Sequence, residues 1–211
     1  MTDRVQVYKR IENGTLSLWV RVVNDNATLA DLLRVWEPLS DSPEVDKAYA
    51  SGSDSCKGCL NNCCNSAFVI PDLICFKAIC AETGLSSAEL LKQWFDQPSI
   101  QAGILRFRYG PCAFLKDRLC QIYPQRSLIC RFYLCADLVG ETEELISSMA
   151  ITRIAALYHC LEEEGVLIAG SGLTGYDRSM LKLIDGYRKH PGLQEFLKAD
   201  SYRQVRLVPF L

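Results

Sequence analysis

The sequence predicts a mixed α+β fold that is mainly helical, with an N-terminal β-hairpin and a cysteine-rich centre. Three observations predict this class: two alternating segments flank a turn dipeptide, capping motifs precede several amphipathic segments, and eight of the eleven cysteines form two groups, at residues 56–64 and 112–135. The chain has 211 residues, 49% of them hydrophobic, which is enough apolar material for a core. We expect residues 1–55, 56–135 and 136–211 to form one compact unit.

The N-terminal region predicts a hairpin followed by a helix. Residues 4–23 alternate between apolar and polar side chains around Asn13–Gly14, a pair that favours a type I′ turn. Thr28 is the expected N-cap of the next helix, with Asp31 in a capping-box position. Pro43 suits the first position of a second short helix. The apolar stripe of the first helix is expected to consist of Leu29, Leu32, Leu33 and Trp36.

In the central region, Pro71–Asp72 is expected to open a helix that ends near Thr83–Gly84. Ser86 and Glu89 form a capping box for a helix that runs towards Phe95. Residues 101–123 are expected to be extended, with a turn near residues 116–118. Pro124 is expected to open a short helix that carries Cys130.

The C-terminal region predicts three helices and a strand. A long helix is expected over residues 142–164, with Gly165 as its stop signal. Shorter helices are expected near 176–189 and 191–199, and the final strand over 202–210.

Charge and hydropathy exclude several classes of function. The formal net charge is −2, so no basic field attracts nucleic acid. No apolar run reaches the roughly 18 residues of a membrane span, and the N-terminus lacks the apolar core of a signal peptide. We therefore expect a cytoplasmic protein, where reducing conditions disfavour a disulfide framework.

Eight cysteines fall into two groups whose spacing is hard to explain by packing. Four thiolates can complete a zinc site or an iron–sulfur cluster, so we interpret these residues as metal ligands. The alternative is that they are buried thiols or disulfides. The first group is Cys56, Cys59, Cys63 and Cys64, and the second is Cys112, Cys120, Cys130 and Cys135.

Helical spacing does not divide the eight cysteines into two simple sites. On a helix, Cys56, Cys59 and Cys63 share one face, whereas Cys64 lies about 100° further round. Cys130 and Cys135 would also diverge on a regular helix. The two groups can therefore complete each other's sites, and their division between metals stays open.

Cationic residues interleave with the cysteines, where they can offset thiolate charge and tune a metal. Arg126 and Arg131, with Tyr123, are the expected contacts around the sulfurs, although they can also be ordinary surface residues. The remaining interleaved cations are Lys57, Lys116 and Arg118.

The other cysteines and the histidines suggest structural roles. Cys75, Cys80 and Cys160 lie in helical patterns and are expected to be small buried hydrophobic residues. His159 and His190 are expected to be surface or capping residues.

The cysteine segments resemble the CxxCxxCC, or YkgJ-like, cysteine-cluster family of zinc- or iron-chelating proteins. Its opening pattern matches Cys56, Cys59, Cys63 and Cys64, and its later segments match Cys112–Leu115, Cys120–Tyr123 and Arg126–Arg131, closing on Cys135. Ala113 and Ser127 stand where the family favours proline. The resemblance covers about residues 56–135 and implies metal binding.

Flagellin lysine N-methylases are similar in this cysteine segment. That likeness slightly favours an iron–sulfur cluster of the [4Fe–4S] type over zinc. The chain has no Ser–His–Asp set, HExxH motif, P-loop or recognisable S-adenosylmethionine site, so an enzymatic role stays undecided. Three hypotheses remain: a cluster for electron transfer or an enzymatic step, a structural zinc module with a protein partner, and a metal chaperone or sensor.

Overall fold

The computed structural model describes residues 3–12, 15–41, 63–132, 137–138, 140–168 and 170–211. Strands β1 (Val5–Glu12) and β2 (Thr15–Val22) form the antiparallel hairpin that the alternation predicts. A third strand, β5 (Asp137–Leu138), pairs in parallel with β2, so the sheet order is β1-β2-β5. The turn at Asn13–Gly14 and the helix expected at Pro43 lie outside the described residues.

The first three α-helices among the described residues confirm the capping motifs. They are α1 (Leu29–Trp36), α2 (Leu73–Thr83) and α3 (Ser87–Trp94). Thr28 and Ser86 each form both hydrogen bonds of a capping box, and Asp72 caps α2. Gly84 ends α2 with a φ of 70°, a left-handed conformation that glycine adopts without strain.

The expected extended segment over residues 101–123 is wrong over most of its length. It begins with the end of α4 (Gln97–Gln101), and its strands are the two-residue β3 (Leu115–Lys116) and β4 (Leu119–Cys120). Between them, Asp117 and Arg118 have positive φ values of 51° and 63°, as type I′ turns require. Much of the segment bonds to distant groups instead of a strand: the Leu105 N–H donates to the Tyr158 hydroxyl at 2.9 Å.

Two further expectations are corrected. The helix that carries Cys130 is α5 (Leu128–Phe132), and Pro124 lies instead in a preceding 3-10 turn, Tyr123–Gln125. The C-terminal tail forms no regular strand: Arg206 makes an isolated bridge to Thr28, and Val208–Phe210 is a 3-10 turn. In both places a proline removes a backbone donor and fixes φ, which favours a short turn.

The long helix α6 (Gly140–Glu163) lies at the centre of the fold. It contacts α2, α5, β2 and the two later helices, α7 (Gly175–Gly186) and α8 (Leu193–Lys198). Its inward face is completely buried and includes Met149, Ala155, Ala156, Leu157 and Leu161. Within the described ranges, no helix is both long and apolar enough to cross a bilayer.

Candidate metal centre

Five of the eight clustered cysteines line one small cavity. They come from three separate stretches of chain: Cys63 and Cys64, then Cys112 and Cys120, and finally Cys130. The cavity has a volume of about 80 Å³, and its apolar walls include Val69, Phe107 and Phe114. Cys56, Cys59 and Cys135 lie outside the described residues. Folding therefore brings described cysteines of both sequence groups together, and their division between metals stays a prediction.

Backbone hydrogen bonds hold Cys63, Cys64 and Cys112 at the cavity. Cys63 begins a 3-10 turn, and its carbonyl accepts from the Ala67 N–H at 2.7 Å. The Cys64 carbonyl accepts from the Cys112 N–H at 2.7 Å, which ties the first cysteine group directly to the second. A cis peptide bond joins Gly110 and Pro111 just before Cys112.

Cys120 and Cys130 are placed by the tight hairpin and by a short helix. Cys120 ends β4 and pairs across the hairpin with Leu115. Cys130 lies on α5, and its backbone N–H donates to the Ser127 carbonyl at 2.9 Å. Burial of this sulfur raises the pKa of the Cys130 thiol to about 12.

The thiols influence one another electrostatically. A hydrogen bond from Cys63 to Cys64 raises the pKa of Cys63, and burial raises it further. The same bond lowers the pKa of Cys64, against the effects of burial and the neighbouring thiols. Burial also raises the pKa values of Cys112 and Cys120. Cys64 is therefore the thiol of this group best prepared to be a thiolate.

Arg126 supplies positive charge beside the sulfurs. Its side chain lines the cavity and lowers the pKa values of Cys63 and Cys120, against the raising effect of burial. The guanidinium lies 4.0 Å from the centroid of the Tyr123 ring, which also lines the cavity. Arg118 completes the cationic lining. The expectation that Arg126 and Tyr123 surround the sulfurs accordingly has support from their placement.

Arg131 lies outside the cavity lining, and it braces the adjacent backbone. Its Nε donates to the Arg126 carbonyl at 3.1 Å, and a terminal nitrogen donates to the Pro124 carbonyl. Its other terminal nitrogen pairs with Glu37 at 2.5 Å. Arg131 is absent from the cavity lining because successive side chains on a helix point in different directions. Cys130 on α5 points towards the cavity, so the next residue, Arg131, points away from it.

A buried polar network, which no sequence motif predicted, lies next to the helix that carries Cys130. The Asp72 carboxylate is completely buried and accepts from the Cys75 N–H, the Leu128 N–H, the Ser127 hydroxyl and the Tyr202 hydroxyl. The guanidinium of Arg153 donates to the Ser127 hydroxyl at 3.1 Å and to the Ile70 carbonyl at 2.7 Å. Its charge lowers the pKa of Cys130, although burial dominates there. The available signal was an arginine within the mostly apolar stretch of residues 149–158.

The remaining cysteines and histidines occupy other parts of the structure. Cys75 is buried as expected, whereas Cys80 and Cys160 are only partly buried. The Cys160 thiol donates to Glu164 at 3.4 Å. His159 lies on α6 beside Glu163, and His190 accepts from the Gly192 N–H at 3.0 Å, which is a local capping role.

The five cavity cysteines suit a soft metal by chemistry, but they do not by themselves define a closed site. Within the part of the chain that the structure describes, no three His, Cys, Asp or Glu side chains are placed to hold one metal ion together. Sulfur donors, a nearby guanidinium and apolar walls nevertheless match what thiolate-bound zinc or iron–sulfur groups require.

Comparison with known proteins gives a match in the central region. Residues 55–149 match the family model CxxCxxCC, which is described as a putative zinc- or iron-chelating domain. The matched segment contains all eight clustered cysteines, so the resemblance stated from the sequence is confirmed. No curated protein and no solved structure gives a significant match to the chain.

Proposed function

We propose that the CxxCxxCC domain of this chain binds an iron–sulfur centre in the cysteine-lined cavity, with all eight clustered cysteines available as ligands. The observation that supports the proposal most directly is the convergence of Cys63, Cys64, Cys112, Cys120 and Cys130 on one cavity. Three further ligand candidates, Cys56, Cys59 and Cys135, are close in sequence to these residues. The family assignment supports a metal cofactor in general.

The number of sulfurs favours a cluster over one zinc ion. A structural zinc site is tetrahedral and is complete with four ligands, whereas this cavity is lined by five thiols. Vicinal Cys63 and Cys64 cannot easily serve one tetrahedral ion together, because successive side chains diverge. Iron–sulfur clusters, held by cysteine thiolates, supply one-electron transfer when bound.

The residues of the chain itself would hold the centre, balance its charge and limit access of water. Arg126 and Arg118 place cationic groups at the lining, which favours anionic sulfur ligands. Phe107 and Phe114 form apolar walls beside the sulfurs, which would lower the polarity around a bound centre. This arrangement suits a redox centre in electron transfer or in an enzymatic step within the cytoplasm.

The competing function is a structural zinc module that acts through a protein partner. Its support is that the cavity walls Val69, Phe107 and Phe114 belong to the main hydrophobic core, so a metal there would brace the fold. A structural ion leaves only when the protein unfolds. A chaperone or sensor would instead release its ion to a chelator while the fold persists.

Purification without oxygen, followed by elemental analysis and optical and EPR spectra, tests these functions. An iron–sulfur protein contains iron and acid-labile sulfide, absorbs visible light and gives an EPR signal in one redox state. Colourless protein with stoichiometric zinc would overturn the iron–sulfur proposal and support the structural module. Freshly prepared protein with neither metal would refute all of these functions.

A further inference from the structure

A second, much larger cavity lies on the other side of the Pro124–Arg131 backbone. This arginine groove has a volume of about 880 Å³, within the range of small-molecule sites. Four arginines line it, Arg4, Arg34, Arg131 and Arg203, against two carboxylates, Asp31 and Glu37. The lining therefore carries an excess of two positive charges, although the chain as a whole has a net charge of −2.

The two carboxylates are shared and do not neutralise the groove. Asp31 lies 3.5 Å from Arg4 and 3.7 Å from Arg34, and its oxygens also accept the capping hydrogen bonds of Thr28. Glu37 lies 2.5 Å from Arg131 and 3.5 Å from Arg126. Each of these carboxylates thus faces two guanidinium groups, and Asp3, outside the lining, lies 3.3 Å from Arg34. The donors that remain for an external oxyanion are therefore mainly those of Arg203.

Arg203 is the most available of the four cations. It is exposed at the groove and makes no ion pair with any described residue. Ser201 lies two positions earlier and adds a hydroxyl to the same lining. The N–H groups at the start of α1 are already used, because Asp31 N–H bonds to Thr28 and Ala30 N–H bonds to the Tyr202 carbonyl. Anion binding here would accordingly depend on side chains.

The groove also offers apolar surface beside its charges. Leu33, Ala30 and Pro124 contribute to the lining, and the Arg131 guanidinium lies 5.4 Å from the centroid of the Tyr202 ring. A ligand with an oxyanion at one end and an organic body at the other matches this combination. Nucleic acid fits less well, because the groove brings together only four cations and the protein has a net negative charge.

We propose that the arginine groove binds a small molecule bearing a phosphate or carboxylate group, with Arg203 as a principal contact to the oxyanion. Guanidinium groups bind both kinds of oxyanion through paired N–H donors. The proposal does not depend on which metal the cysteine cavity takes.

Calorimetric titration of the 211-residue chain, as purified without oxygen, at low ionic strength tests this site. Inorganic phosphate and succinate serve as probes for the two headgroups, with Arg203→Ala as the test variant and Arg21→Ala as the control. Arg21 is an exposed arginine on β2, outside the groove. We expect at least one probe to bind, and Arg203→Ala to weaken it about tenfold, the size of one charge-assisted hydrogen bond. Arg21→Ala should bind as the unaltered protein does.

The relative affinities of phosphate and succinate identify the headgroup. Absence of binding by either probe, or equal affinity of the two variants, would overturn the proposal. Tighter binding of a single-stranded RNA than of both probes, lost with Arg203, would also overturn it in favour of a nucleic-acid surface. Metal content measured before and after titration tests the metal proposal separately. A failure of oxyanion binding can therefore be distinguished from a failure of metal binding.

Discussion

The carboxylate of Asp72 accepts a hydrogen bond of 2.7 Å from the backbone N–H of Leu128, 56 positions further along the chain. The same carboxylate caps α2 through the Cys75 N–H at 2.8 Å. One buried side chain therefore holds the N-termini of two helices, and the second of them carries Cys130 into the cysteine cavity. The geometry of the candidate metal centre depends on a residue that is not a ligand.

Removing the Asp72 carboxylate should destabilise the whole protein. Asp72→Ala leaves the N–H groups of Cys75 and Leu128 without partners and Arg153 without a nearby buried anion. We expect the free energy of unfolding in urea to fall by about 3–5 kcal/mol. Ser86→Ala, which removes a helix cap at the surface, should cost only about 1 kcal/mol. If both variants lost a similar amount of unfolding free energy, the buried network would contribute no more than an ordinary helix cap.

Substitution of cavity cysteines should reduce metal content selectively. Cys112→Ser, Cys120→Ser and Cys130→Ser each replace a soft sulfur by a hydroxyl, so we expect metal per protein to fall to less than about half. Cys160→Ser is the matched control, because this partly buried cysteine lies outside the cavity lining. Metal content measured by elemental analysis should stay unchanged in the control. Full occupancy in all three cavity variants would place the metal elsewhere.

Arg126 should slow the loss of bound metal. Its guanidinium stacks on Tyr123 and lies near Cys63 and Cys120, so Arg126→Leu removes positive charge from beside the sulfurs. We expect the rate of metal transfer to a chelator to rise about tenfold, with the unfolding temperature little changed. Arg108→Leu is the control, since Arg108 lies outside the cavity lining. Equal rates for both variants would assign Arg126 a role in packing only.

His190 should make the protein less stable in mild acid. Burial lowers the pKa of His190, and its Nδ1 accepts the Gly192 N–H, so the folded state favours the neutral ring. Its contribution to stability is present above the unfolded pKa near 6.5 and is lost as pH falls through the lower folded pKa. We expect the unfolding temperature to fall between about pH 7 and pH 5.

The control for this pH effect is the second histidine. His159 is half-exposed beside Glu163, so His159→Gln should retain most of the pH dependence. His190→Gln should flatten the profile over the same range, because the titrating ring is gone. A profile that is unchanged in His190→Gln would mean that other groups, such as the metal ligands, cause the loss of stability.

Local signals in the sequence predicted helix boundaries well where the hydrogen-bonding partners lie within a few residues of each other. Thr28 with Asp31, Ser86 with Glu89, and Gly84 each act on adjacent backbone, and all three were found as expected. The error at Pro124 is local, because that proline favours a 3-10 turn. The errors over residues 101–123 and in the C-terminal tail also involve distant partners. Leu105 bonds to Tyr158, and the tail near Arg206 bonds back to Thr28, so alternation in those segments did not produce strands.

The sequence by itself predicted thiolate chemistry and the match of residues 55–149 to the CxxCxxCC model, because both follow from cysteine spacing along the chain. Only the tertiary structure decided which described cysteines meet, since the convergence of Cys64, Cys112 and Cys130 requires three separate segments to pack together. It also separated Arg126, beside the sulfurs, from Arg131, which turns away on α5. The Asp72 network and the arginine groove likewise depend on contacts between residues far apart in sequence, which periodicity and local propensity do not encode.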